Sequence, residues 1–128
     1  MGNYLKGVSD TALMNSFHSV LKYSGFSPDD YNINKVDINE KLNTLTEENK
    51  KLFKLNDNEN YILQIDCFND DDEEVKNKPK MLLIHGFGGC GPMFYRILGH
   101  LSKSFRVTTF DMLGLGGSGR PSFNLKTA

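Results

Sequence analysis

The sequence predicts an α/β fold built around one parallel strand–helix–strand unit, and three observations carry that expectation. Met81-Leu82-Leu83-Ile84 is a continuous apolar run of strand length, the pattern of a strand buried in a parallel sheet. His85-Gly86-Phe87-Gly88-Gly89-Cys90-Gly91 follows as a glycine-rich loop, and Pro92 suits the first turn of a helix. Met93, Phe94, Ile97, Leu98 and Leu101 give that helix an apolar face, and residues 106–110 read as a second buried strand ending at Asp111. Such units are right-handed, and their sites lie in the loops that follow the strands.

The preceding elements are read in order. Residues 11–23 predict an amphipathic helix, because Leu13, Phe17, Val20 and Leu21 recur at helical spacing. Ser9 or Asp10 can cap its start and Gly25 can end it. Ser27-Pro28-Asp29 is a turn opening a polar connector to Asn34, and Ile38, Leu42 and Leu45 suggest a weaker helix over 38–50. The period then changes. Residues 51–55 and 61–68 read as two strands around the turn Asn56-Asp57-Asn58-Glu59-Asn60. Tyr61, Leu63, Ile65 and Cys67 fall on one face of the second. The acidic run from Asp70 to Glu74 lacks the glycine and distal glutamate of a calcium loop and reads as a solvated turn. The chain therefore divides into a helical leader, residues 1–50, and a sheet-forming part, residues 51–128.

Composition excludes several classes. The 128 residues are 38% hydrophobic and 24% charged, which is neither disordered nor fibrous. With 15 basic and 16 acidic side chains, the formal net charge is -1, and no nucleic-acid partner is expected. No apolar run approaches the roughly 20 residues a bilayer requires. The first nine residues lack the apolar stretch of a secretory signal, so Cys67 and Cys90 are expected to be reduced thiols in a cytoplasmic protein. Met1-Gly2-Asn3 opens like an acylation signal, but Lys6 stands where Ser or Thr is needed.

The loop admits two readings. Gly86-x-Gly88-x-x-Gly91, with Asp111 ending the next strand about 20 residues later, matches a dinucleotide fingerprint. Against it, His85 precedes the first glycine, the unit follows two expected strands, and a second glycine-rich loop comes after Asp111. That loop runs Met112-Leu113-Gly114-Leu115-Gly116-Gly117-Ser118-Gly119-Arg120-Pro121. These features, over about residues 51–123, resemble the α/β-hydrolases, closest to the branch of phospholipase, lysophospholipase and lysophosphatidate-acyltransferase-like members.

The resemblance implies the N-terminal half of that family's sheet and a carboxylic-ester or phospholipid hydrolase or acyltransferase working through a serine acyl-enzyme. The substrate would be a lipid or other ester, and the protein could lie at the periphery of membranes or lipid droplets. In that family one oxyanion donor follows the nucleophile and the other lies in the loop after the third strand, here the backbone N–H of Phe87. His85, Gly86, Gly88, Gly89, Asp111, Gly114 and Gly116 would shape the two loops, with His85 a brace rather than a base. His18 and His100 read as surface or packing residues. Cys90 has no evident base, and Ser118 fails G-x-S-x-G because Arg120 stands at the last glycine. No cofactor or metal is implied.

The family's nucleophile, acid and triad histidine lie later than Ala128, so these 128 residues are expected to show no turnover alone. The third strand normally sits between the fourth and a fifth. Residues 81–85 are therefore expected to form an apolar sheet edge that a protein partner could cover. The alternatives are a dinucleotide-binding module and a non-catalytic interaction protein.

Overall fold

The stripe of Leu13, Phe17 and Leu21 does what its spacing predicts: Asp10–Lys22 form helix α1, with Phe17 and Leu21 buried in the core. The computed structural model describes residues 10–123. The Gly2 acylation reading and the capping role of Ser9 lie outside the described residues. A short turn, Pro28–Asp30, is closed by Ser27 and Asp30, and strand β1, Asn32–Asp37, follows it. Two single-turn helices, α2 (Asn39–Leu42) and α3 (Glu47–Lys50), lead to strand β2, Tyr61–Cys67. After α4 (Glu73–Lys76) come strand β3 (Lys80–Ile84), a 3-10 turn (Gly91–Phe94), helix α5 (Tyr95–Leu101) and strand β4 (Arg106–Asp111).

The four strands form one mixed sheet in the order β1-β2-β4-β3. β1–β2 and β2–β4 are antiparallel, and β3–β4 is the parallel pair that the strand–helix–strand pattern requires. Leu63, Ile65, Cys67 and Val107 point from the sheet into the core, where α1 and α5 supply Phe17, Leu21 and Leu98. Burying side chains of this size contributes roughly 1.5–3 kcal/mol each, the main force holding the sheet under its helices.

Three expectations need correction. The first strand is not residues 51–55 but β1, inside the stretch read as a polar connector and helical leader, and its pairing to β2 crosses residue 50. β1 is an edge strand with one core-facing apolar side chain, Ile33, so its pattern is too polar to announce itself. In 51–55 only Phe53 makes a bridge, to Phe123, because the chain turns at Lys54: its carbonyl accepts from Asp57 N–H and the Asn60 side chain. The helix expected over 38–50 is broken, since Thr44 Oγ1 bonds back to Lys41 and Thr46 caps a new turn at Asn49. Lastly, the apolar face expected over 93–101 is only partly covered: α5 buries Leu98, whereas Ile97 and, in the preceding 3-10 turn, Met93 are exposed.

β3 lies at the sheet edge. Its Met81 and Leu83 face the core, whereas Leu82 and Ile84 stand 56% and 59% exposed on the opposite face. An open apolar edge of this kind templates unwanted strand pairing. Ile84→Lys is expected to raise the solubility limit of the chain several-fold while changing unfolding free energy by less than about 0.5 kcal/mol, as for an exposed substitution. Turbidity against concentration, with a urea melt as control, measures both.

Candidate functional site

The loop after β3 begins with a histidine whose two ring nitrogens are both engaged. Met112 N–H donates to His85 Nε2 at 3.0 Å, so Nε2 carries no proton. Nδ1 therefore holds it and donates to the Gly86 carbonyl at 2.8 Å. His85 is 3% exposed. It ties the first glycine loop to the second and has no nitrogen left for a reacting group.

The next four residues form a tight turn. Gly89 N–H donates to the Gly86 carbonyl at 3.0 Å, and Gly88 sits at φ +73 while Phe87 does not have positive φ. That combination is a type II turn, with Phe87 at its second position and the glycine it requires at its third. The Phe87 side chain is 102% exposed, and among the described residues its N–H has no hydrogen-bond partner. At Gly89 a Cβ would lie 2.7 Å from Met93 Sδ, so the turn is packed tightly on the following 3-10 turn. A free backbone donor thus stands on a braced loop at the C-terminal end of a parallel strand.

Asp111 fastens the other side. Fully buried, it accepts from Gly91 N–H through Oδ1 and from Gly117 N–H through Oδ2, each at 2.6 Å. One oxygen therefore caps the helical segment starting at Gly91, and the other shapes the second loop. Its backbone carbonyl accepts from Ser118 Oγ at 2.5 Å, and Ser118 Oγ in turn accepts from Leu63 N–H at 2.8 Å. Ser118 is a fully buried staple between loop and sheet, not an exposed nucleophile. The Asp111 carboxylate likewise has no exposed surface to offer a ribose hydroxyl.

Gly114 and Gly116 lie in this second loop. Gly114 N–H donates to the Gly119 carbonyl, and Gly116 at φ +51 passes so close to Asp111 that a Cβ would meet Oδ2 at 2.1 Å. Gly116→Ala adds left-handed strain to that clash, and the expected loss of unfolding free energy is about 3 kcal/mol, read from denaturant melts.

Two contributors were not legible beforehand. The Arg120 guanidinium donates to the carbonyls of Ser118 and Gly116 at 3.2 and 3.0 Å, while its backbone N–H donates to Glu59 Oε2 at 3.1 Å. An arginine directly after a glycine run, where carbonyls lack ladder partners, was the available signal; nothing in the sequence pointed to Glu59.

The thiols are poor nucleophiles. Burial, then the nearby Asp111 charge, pushes the Cys90 thiol above its ordinary value, outweighing the Met93 N–H contact that lowers it. Cys67 is pushed up to about 12 by burial and by Asp66. Among the described residues no three potential metal ligands cluster, and no helix is long and apolar enough to cross a membrane.

Comparison with known proteins finds similarity over part of the chain. Residues 79–127 match the family described as alpha/beta hydrolase fold. A probable 1-acylglycerol-3-phosphate O-acyltransferase of Oryza sativa subsp. japonica is 42% identical over 55 residues, covering 43% of this chain and 13% of that protein. A human 1-acylglycerol-3-phosphate O-acyltransferase is 40% identical over 50 residues, 39% of this chain and 14% of its own length. A (lyso)-N-acylphosphatidylethanolamine lipase of Bos taurus is 36% identical over 50 residues, 39% of this chain and 15% of its own. The chain thus spans about an eighth to a seventh of the relatives it matches. No solved structure matches it.

Proposed function

We propose, from the match of residues 79–127 to the family described as alpha/beta hydrolase fold, that loop 85–89 is the oxyanion half of an acyl-transfer site acting on a lipid ester. One observation carries the reading: the unpartnered Phe87 N–H on a turn braced by His85. When a nucleophile adds to an ester carbonyl, the π electrons move to oxygen, and that oxyanion needs fixed donors. Phe87 N–H is one donor; the residue after the nucleophile supplies the other. Collapse of the intermediate then expels the alkoxide, protonated by the triad histidine.

The nucleophile and base come from other residues than those described here, because Ser118 is buried, both nitrogens of His85 are engaged, and the Cys90 thiol is held protonated. Alone, then, these residues bind and polarise without turnover. Whether the reaction ends on water or on an acyl acceptor follows from the second substrate, and the acyltransferase and lipase names of the relatives support a lipid acyl group in either case. The test compares Phe87→Pro with Phe87→Leu in the protein that brings this loop to its nucleophile, with ester cleavage as the readout. Loss in the proline variant alone supports the donor role, whereas equal rates refute it.

A second reading, a non-catalytic interaction protein, draws on the open β3 edge with Leu82 and Ile84 exposed. A partner adding a strand to that edge would supply the missing backbone partners. The free donor on the loop has no part in such a role, which is why the acyl-transfer reading is preferred.

A further inference from the structure

The near-zero net charge conceals a strong segregation. Residues 1–74 carry seven basic and 15 acidic side chains, whereas residues 75–128 carry eight basic and a single acid, the buried Asp111. The second half of the chain therefore carries a local surplus of positive charge.

Part of this surplus is collected in one place. A groove of about 190 Å³ between the end of α1 and helix α5 is lined by Tyr23, Ser24, Arg96, Gly99, His100 and Lys103. Its construction is specific. Gly99 has no room for a side chain, since a Cβ would lie 2.1 Å from the Ser24 carbonyl, and Ser24 Oγ donates to the Tyr95 carbonyl at 2.5 Å. The turn after α1 is thereby seated directly on α5. Arg96, His100 and Lys103 recur at intervals of four and three, so they rise along one face of the helical segment beside that seat. All three are exposed, and among the described residues none has an ion pair or side-chain hydrogen bond. No carboxylate lines the groove.

Arg96 and His100 stand at helical i,i+4 spacing on α5, with Lys103 in the turn that follows it, and no carboxylate of the groove faces them. Several other cations of this half are engaged: Lys76 pairs with Glu73, Arg106 with Asp70, and Lys78 bonds to the Ser102 carbonyl. The groove stands out because its donors are unspent. A guanidinium, an imidazole and an ammonium lining one groove beside an exposed tyrosine match the oxygens of a dianionic phosphate.

We propose that the groove formed by Tyr23, Arg96, His100 and Lys103 binds a phosphate monoester, either on a soluble molecule or as the headgroup of a lipid. The proposal rests on the groove alone and not on the acyl-transfer reading, because binding is measured without turnover.

The test titrates the 128-residue chain with inorganic phosphate and with glycerol 3-phosphate while following backbone amide shifts. In parallel, the chain is sedimented with phosphatidylcholine vesicles with and without phosphatidate. Saturable shifts centred on Arg96, Gly99, His100 and Lys103 are expected. The double variant Arg96→Gln/Lys103→Gln should weaken binding at least tenfold, against less than twofold for the surface control Lys41→Gln/Lys54→Gln. Binding to the free phosphates assigns a soluble ligand, and binding only to phosphatidate vesicles assigns a headgroup; both support the site. Absence of saturable binding in both arms overturns it. So does equal weakening in the control variant, or equal competition by a phosphodiester oligonucleotide, which would mark a general polyanion surface.

Discussion

In a protein that brings loop 85–89 to a nucleophile, as in the acyl-transfer site proposed above, replacing Phe87 with proline is expected to lower kcat for ester cleavage by about 10²- to 10³-fold, roughly 3–4 kcal/mol of lost transition-state stabilisation, while leaving the fold intact. The selectivity comes from the turn. Phe87 occupies the second position of a type II turn, whose φ near −60° is the value proline imposes. The preceding residue is Gly86, which tolerates the restriction proline places on its neighbour. Gly89 N–H and Gly86 C=O, which close the turn, are untouched. The substitution therefore removes the Phe87 N–H, which has no partner among the described residues, and leaves the bonds that close the turn in place. Phe87→Leu retains that N–H, and its kcat should stay within a few-fold, any change falling on KM because the side chain projects fully into solvent. Unaltered melting with collapsed kcat is the signature; a proline variant as active as the leucine variant removes Phe87 from the mechanism.

Asp111→Asn is expected to cost about 3 kcal/mol of stability, lowering the melting temperature by roughly 10–15 °C in a domain of this size. Both carboxylate oxygens accept a backbone N–H, from Gly91 and from Gly117, in a site with no solvent access. An amide keeps one acceptor and turns an NH₂ group toward the other donor, leaving a buried N–H without a partner. The two affected amides belong to the helical segment after the first glycine loop and to the second loop. Amide exchange should therefore rise at Gly91 and Gly117 together, well before global unfolding. Exchange that rises at only one of them would show that the two loops are not joined through this carboxylate. Calorimetry and exchange measurements on the purified chain decide the point.

How much of this was readable beforehand differs by element, for reasons that are physical. The unit from β3 to β4 was legible because the run Met81 to Ile84 is continuously apolar and because tight turns at strand ends demand glycine, although Leu82 and Ile84, expected to be buried, stand exposed on the outer face of an edge strand. The same logic made α1 visible through Leu13, Phe17 and Leu21. β1 was hidden, since an edge strand is held by hydrogen bonds to a neighbour and Ile33 alone faces the core. The exposure of Met93 and Ile97 was hidden too, because helical spacing identifies an apolar face and does not say what covers it.

The sequence by itself determined the residue types of the site: glycines where backbone must turn or approach closely, a histidine before them, and an aspartate at the next strand end. Those requirements are local, and local conformational limits are written in residue type. Only the tertiary structure decided what each group does. It spent both nitrogens of His85 on Gly86 and Met112, buried Asp111 between two loops, turned Ser118 into a staple, and left the Phe87 N–H free. It also brought Tyr23, at the end of α1, beside Arg96, His100 and Lys103 in a groove that the helical spacing of those three does not by itself announce. Hydrogen-bond partners separated by 20 to 60 residues depend on how strands pair and helices dock, and those are properties of the folded chain as a whole.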